Sequence, residues 1–315
     1  MAKTKQAVVT GTAKKKRSLK AEWHKNKYLY ILTIPVLLYF IIFKYLPMFG
    51  LVIAFEDFSL GKGVFGSKFV GFKYFKEFFT SVYFFRTLRN TLALSLMDII
   101  IGFPIPIIFA LLLNEIKSKY FKKFIQTASY LPHFISMVVI CGMINDFFST
   151  DGIFSVLISL FGGENMNYIG SSEHFRSIFV GTGIWQSFGW SSIIYIAALS
   201  GVDPSLYEAA AVDGAGKWKQ LIHITLPSIM NTIIVMLILR VGQVLSVGYE
   251  KIILLYTSPT YEVADVISSY TYRSGIINGR YGYSAAVGLF QSVVNIVILF
   301  AANKMSKKYT ETSLF

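Results

Sequence analysis

The stretch that decides how this chain is read is Val202-Asp203-Pro204-Ser205-Leu206-Tyr207-Glu208-Ala209-Ala210-Ala211-Val212-Asp213-Gly214-Ala215, closing at Ile224-Thr225-Leu226-Pro227. Asp203 is a helix-capping residue type, and Pro204 stands at the first helical position, where a missing N–H leaves no bond unmade. The alanines 209–211 favour the helix. Gly214 can take the left-handed conformation that ends it in a sharp turn, and Asp213 can then cap a second helix through Lys217 and Trp218. The expected product is a bent pair of short helices whose small residues permit close approach of another protein.

On either side of this loop the chain is unusually apolar. Its 315 residues are 54% hydrophobic, 16% aromatic and only 15% charged, a composition suited to a bilayer rather than to a soluble domain. A hydrocarbon core of about 30 Å needs roughly 20 apolar helical residues. Six segments qualify, at about 28–46, 91–113, 125–145, 178–199, 229–247 and 285–302. They form one six-helix membrane domain over 27–308, with a basic, disordered tail at 1–26 and a short tail at 309–315. The loop 203–227 falls between the fourth and fifth spans.

Six spans place both termini on one side, and Lys and Arg collect in the cytoplasm. With the N-terminus inside, 18 basic residues are internal, ten are external, and Lys44 and Arg240 lie within spans. The topology is therefore N-in and C-in, and the loop is cytoplasmic. Residues 48–90 run against the trend, with six basic residues outside. Their Phe- and Tyr-rich stretch, Phe69 to Phe85, is expected to form an aromatic helix along the interface. The net charge of +13 thus reflects topology, and no nucleic-acid partner is expected.

Several other chemistries find no support. The single cysteine, Cys141, excludes an intrachain disulfide framework and a multi-cysteine metal site. His133 has no partners at metal-ligand spacing. The run from Tyr28 to Leu46 lacks the small-residue pattern of a cleavage site, so it is read as an uncleaved first span. Gly61-Lys62-Gly63-Val64-Phe65-Gly66 matches the dinucleotide-binding glycine pattern literally, but no buried strand precedes it. Gly66-Ser67-Lys68 does not complete a phosphate-binding loop, so any ATP is bound by another chain.

Glu208-Ala209-Ala210, Gly214 and Ile224-Thr225-Leu226-Pro227 resemble, in register, the EAA motif of ABC importer permeases. The resemblance extends over about Phe69 to Lys308. Phe69-Val70-Gly71-Phe72 ahead of Tyr74-Phe75, and Asn90-Thr91-Leu92, resemble the maltose-type sugar permeases. Tyr249-Glu250-Lys251-Ile252, Leu254-Leu255-Tyr256, Asp265-Val266-Ile267-Ser268 and Ala286 to Asn295 resemble the LplB-type branch, associated with oligosaccharides derived from polysaccharides.

This resemblance implies an all-α polytopic membrane protein with the type I ABC importer permease fold, set in a prokaryotic plasma membrane. The loop would be the coupling helix, with Glu208, Ala209, Ala210, Asp213, Gly214 and Ala215 carrying the contact to the ATPase. Its implied partners are a second, homologous permease, two ATPase subunits holding ATP and Mg, and an external solute-binding protein delivering oligosaccharide. The chain itself would bind no cofactor and catalyse no reaction.

Polar residues inside spans mark either a pathway or a helix contact. Arg240, Gln243, Val247 and Glu250 share a helical face, as do Ser284, Gly288, Gln291 and Asn295. The fourth span adds Trp185, Gln186, Trp190 and Ser192. Aromatic faces beside amides suit sugars, whose rings have an apolar face and hydroxyls that need hydrogen bonds. Trp185, Gln186, Trp190, Arg240, Gln243, Gln291 and Asn295 are the candidate path. The alternative is that the amides bond neighbouring helices and the tryptophans anchor or pack.

Arg240 can meet an acidic sugar or pair with a carboxylate such as Glu250. Asp98, above Pro104 and Pro106, is read as an interhelical hydrogen-bond partner, with a proton-coupled secondary transporter as the rival. A membrane-embedded enzyme finds no cluster of catalytic residue types.

Overall fold

The computed structural model describes residues 19–310 and 312–314. Most of the expected basic tail, residues 1–18, lies outside the described residues. Contacts divide the chain into two units, Met1–Val52 and Ile53–Phe315.

In the first unit, helix α1 (Leu19–Phe40) runs into a π-turn at Ile41–Tyr45 and a 3-10 turn from Leu46. It begins well before residue 28, so residues 19–26 are helical rather than part of a disordered tail.

The second unit holds the other helices. A two-stranded antiparallel ribbon, β1 (Glu56–Asp57) with β2 (Lys68–Phe69), precedes α2 (Lys73–Thr80). Among the described residues it is the only sheet, so the glycine run at 61–66 belongs to a hairpin loop. Tyr74 and Phe78 of α2 are buried, and Phe78 stacks on Tyr270 and meets Phe290 at 5.8 Å. The expected interfacial helix is therefore packed into the protein on one face, while Phe79 and Phe85 remain exposed.

Next come α3 (Val82–Met97), α4 (Pro104–Glu115), α5 (Lys119–Tyr130), α6 (Met137–Phe148), α7 (Ile153–Leu160) and α8 (Phe175–Ser200). They are followed by α9 (Pro204–Val212), α10 (Leu226–Val241), α11 (Tyr249–Leu255), α12 (Ile267–Tyr272) and α13 (Tyr281–Thr310). Helix α8 is central, packing along α3, α4, α5 and α10. Gly189 permits its closest approach, since a side chain there would collide with the backbone of Ser129 on α5. Three buried clusters organise the unit. One centres on Leu94, Ile140, Phe175 and Ile252, a second on Phe78, Leu245, Ile267 and Tyr283, and a third on Ala110, Tyr195, Leu199 and Ile229.

Three of the four π-turns among the described residues stand beside prolines. Each ends just before a proline: Ile41–Tyr45 before Pro47, Asp98–Gly102 before Pro104, and Leu221–Thr225 before Pro227. A proline ring clashes with the carbonyl four residues back. The preceding residue instead donates five residues back, Leu46 to Ile41, Phe103 to Asp98 and Leu226 to Leu221, which widens the helix and relieves the clash.

Among the described residues, five helical stretches are long and apolar enough to cross a membrane: Asn26–Phe55, Val82–Glu115, Met137–Leu160, Lys217–Val241 and Tyr281–Lys308. Two expected spans come out differently. The segment 125–145 is not one helix, because a 3-10 turn at Leu131–Phe134 contains Pro132 and Ser136 then caps a new helix at Val139 N–H. The apolar stretch starts only at Met137. The segment 178–199 lies in α8, whose 26 residues reach about 39 Å at 1.5 Å each. It falls outside the five because Gln186, Ser187, Ser191 and Ser192 interrupt its apolar residues.

Candidate functional site

Helix α10 stops at Val241, and residues 242–248 run without regular helix before α11 begins at Tyr249. Unwound backbone at membrane depth is tolerated only where protein groups satisfy it or where it lines a cavity. Both conditions hold. The Leu245 N–H donates to Asn295 Oδ1 (3.1 Å), and Gln291 Nε2 donates to the Leu245 carbonyl (2.8 Å). Ser95 donates to the Val244 carbonyl, Ser268 to the Val247 carbonyl, and Asn295 Nδ2 to Ser246 Oγ (2.9 Å). Side chains of α3, α12 and α13 thus hold the segment in a fixed shape.

Facing this segment is a cavity of about 310 Å³, lined by Ser95 of α3, by Asp98 at the start of the following π-turn, from α8 by Gly183, Gln186 and Ser187, and by Arg240, Gln243, Ser246 and Lys251. A second cavity of about 350 Å³ continues past Gly102, Ser191 and Tyr195 toward Met236. Asp98, Ser187, Arg240 and Gln243 line both. At that shared wall Arg240 is ion-paired with Asp98. The π-turn starting at Asp98 presents this carboxylate, and Gly102 leaves it room, since a side chain there would lie 2.8 Å from Asp98 Oδ1.

The structure therefore selects among the sequence candidates. Gln186, Arg240 and Gln243 line the cavities, whereas Trp185, Trp190, Gln291 and Asn295 line neither. Trp190 stacks on His133 at 4.7 Å and meets Phe134 edge-on. Trp185 is part-exposed on α8. Gln291 and Asn295 pin the unwound segment. Arg240 pairs with Asp98 rather than Glu250, because the helical spacing that would align Glu250 ends at Val241.

Sequence reasoning misses Lys251. It is buried, and its Nζ donates to the Phe179 carbonyl (2.7 Å) and Thr182 Oγ1 (2.9 Å) while lying 4.6 Å from the Phe179 ring centre. Its signal is present as a charge followed by the apolar pair Ile252-Ile253, but the fold alone turns it inward.

The loop 203–227 has the expected local chemistry, with one correction. Asp203 accepts from the Ser205 N–H (2.9 Å), and Pro204 opens α9. This bond holds the Asp203 carboxyl below the usual carboxylate range. At the other end Gly214 has φ +75°, the Ala215 N–H returns to the Ala210 carbonyl (2.8 Å) and the Gly214 N–H to Ala211 (3.1 Å), closing a Schellman turn. Asp213 is the C-cap of α9 and does not cap the second helix. That helix, Lys217–Gln220, starts at Gly216 with no side-chain cap, and Gln220 bonds the Ala215 carbonyl instead (3.1 Å).

Lys217 pairs with Glu115 at the end of α4 (3.2 Å), and Tyr207 bonds Thr225 (3.0 Å). Glu208, Ala209, Asp213 and Gly214 are exposed, Ala210 and Ala215 half-buried. Val212 and Trp218 present apolar side chains beside them, 87% and 77% exposed.

A buried polar network ties α3 to the segment before α12. Asn90 donates to the Glu262 and Asp265 carbonyls and accepts from Arg176 (2.8 Å). Thr91 accepts from the Ile267 N–H (3.0 Å). The Asp265 side chain is fully buried between Arg273 (2.6 Å), Arg86 (3.4 Å) and Ser269. Burial lowers the Arg273 pKa, but the Asp265 carboxylate outweighs it and leaves the guanidinium more firmly protonated than usual.

A helical membrane protein with adjoining cavities that share charged and amide side chains, an unwound segment clamped beside them and a capped, exposed loop has the features of a transport permease. The chain belongs to the family described as binding-protein-dependent transport system inner membrane component, whose model matches residues 78–311. It is a multi-pass inner-membrane protein with the type I ABC importer permease fold.

Among its relatives, the protein LplB of Bacillus subtilis (strain 168) is 47% identical over 305 residues, 96% of each chain. The polygalacturonan/rhamnogalacturonan transport system permease protein YteP of the same organism is 43% identical over 310 residues, covering 98% of this chain and 96% of its own. In the crystal structure of a bacterial alginate ABC transporter in complex with an alginate pentasaccharide-bound periplasmic protein, the matched chain is 41% identical with a TM-score of 0.85. The match covers 94% of this chain and 99% of that one.

Proposed function

We propose that this chain is the permease through which an ATP-driven importer takes up oligosaccharides released from polysaccharides and delivered by an extracytoplasmic binding protein. The observation that carries the reading is the pair of adjoining cavities, about 310 and 350 Å³, that share the polar side chains of Asp98, Ser187, Arg240 and Gln243 between apolar walls. Such a path, lined by an amide on each of two elements and by hydroxyls, suits a solute rich in hydroxyl groups. Two relatives support the substrate class, since YteP is named for polygalacturonan and rhamnogalacturonan and the solved transporter for alginate.

The chain pairs with a second, homologous permease, and α9 and its Schellman turn dock onto one of two ATPase subunits that hold ATP and Mg. Glu208, Ala209, Ala210, Asp213, Gly214 and Ala215 make that contact, with the exposed Val212 and Trp218 beside them. Closure of the ATPases moves α9, and Lys217–Glu115 and Tyr207–Thr225 pass the motion to α4 and α10.

The test is reconstitution of the whole complex in liposomes with its liganded binding protein. Expected are ATP-dependent oligosaccharide uptake and co-purification of ATPase subunits, with both lost on combined disruption of Glu208 and Gly214. Uptake by the purified chain alone, driven by an ion gradient, overturns the reading.

A further inference from the structure

The larger part of the charge in the first cavity is positive. Two cations, Arg240 and Lys251, line it against one carboxylate, Asp98, and that carboxylate is already taken by Arg240. Lys251 is 6% exposed and, among the described residues, has no carboxylate within ion-pair distance. Its ammonium carries three protons. Two are directed at the Phe179 carbonyl and Thr182 Oγ1, both on α8, and the Phe179 ring face 4.6 Å from Nζ is a weaker partner than a carboxylate.

Holding a cation at such a site is unfavourable unless a counter-charge arrives, and a methionine of similar length would serve packing alone without that cost. Gly183, also on the cavity wall, keeps the site open. A side chain at that position would come 3.3 Å from Lys251 Nζ.

We propose that Lys251 is a specificity-determining residue that receives the carboxylate of a uronic-acid unit as the saccharide passes, with Arg240 as the neighbouring cation. This rests on the oligosaccharide reading above and narrows it to acidic chains. The carboxylate accepts the remaining ammonium proton, and the Phe179 and Thr182 contacts fix Nζ in place, so the charge is met without reorganisation.

The experiment uses the full transporter in liposomes with its binding protein, a galacturonate trisaccharide, and its methyl ester as the neutral chain of equal length. Hydrogen bonds to charged groups correspond to about tenfold or more in rate or affinity, so K251Q is expected to lower transport of the acid by at least about that factor. Transport of the ester stays within about twofold, and K251R keeps most of the acid transport. Basal ATPase rate and recovery of the intact complex report on folding. Where the wild type moves only the acid, loss in K251Q with retention in K251R, at unchanged basal ATPase rate, supports the proposal equally.

Equal loss for both saccharides, or no loss for either, overturns the proposal and leaves Lys251 as a tie between α11 and α8. A wild type that moves the ester but not the acid overturns it while keeping the oligosaccharide reading. A wild type that moves neither overturns both.

Discussion

At the scale of single residues, the charged side chains divide by what surrounds them. Asp265 has no access to solvent and is neutralised by Arg273 and Arg86. Breaking a buried pair by removing one partner typically costs about 3–5 kcal/mol because it strands the other charge. Asp265→Ala should therefore lower stability by that order, measured as loss of folded permease in a denaturant titration in detergent. Asp98 differs, because its carboxylate is part-exposed to the cavity. Asp98→Asn is expected to assemble normally and leave ATP-driven uptake largely intact. Abolished uptake in a normally assembled complex would instead favour the proton-coupled alternative. Gly214, at φ +75°, should tolerate alanine poorly, at about 1–2 kcal/mol of local strain, seen as faster amide exchange at Ala215.

Among elements, α9 and the unwound segment 242–248 are legible in the sequence to different degrees. The loop's caps can be read directly, since Asp203, Pro204 and Gly214 act on backbone groups within a few residues of themselves. Asparagine caps helices about as well as aspartate and alanine does not. Asp203→Asn should keep ATPase subunits bound and Asp203→Ala should weaken their retention on an affinity column. Because the Asp203 pKa is depressed, the cap is present at every pH above the ordinary aspartate value and is lost only as pH falls through its lowered one. At neutral pH it is fully formed.

The unwound segment cannot be read in this way. Residues 229–247 look like one uninterrupted span, and the end at Val241 depends on partners some 50 residues away, Gln291 and Asn295. Those two, candidates for substrate contact by their shared helical face, instead hold backbone. Replacing Gln291 with Ala leaves a carbonyl without its donor, at about 1–3 kcal/mol, and should raise amide exchange across 243–248.

For the whole molecule, the docking proposal has a chemical readout. Cys141 is buried and is the only cysteine, so a C141A background carrying Val212→Cys presents one exposed thiol beside Gly214. In the assembled complex it should crosslink to the ATPase subunit and to no other component. Crosslinking to lipid-facing reagents alone would place α9 away from that partner.

The sequence by itself determined that the chain is a multi-spanning membrane protein, that Glu208 to Pro227 lies in a loop between spans, and where the local helix caps and turns fall; the permease reading came from the resemblance of that loop to a family motif. These features depend on composition, on periodicity and on interactions between near neighbours in the chain. Only the tertiary structure decided which polar residues line the cavities. Arg240 meets Asp98 across 142 positions of sequence and Lys251 reaches Phe179 across 72, and pairing over such distances is set by how α3, α8, α10 and α11 pack. Periodicity along any one helix does not contain that information.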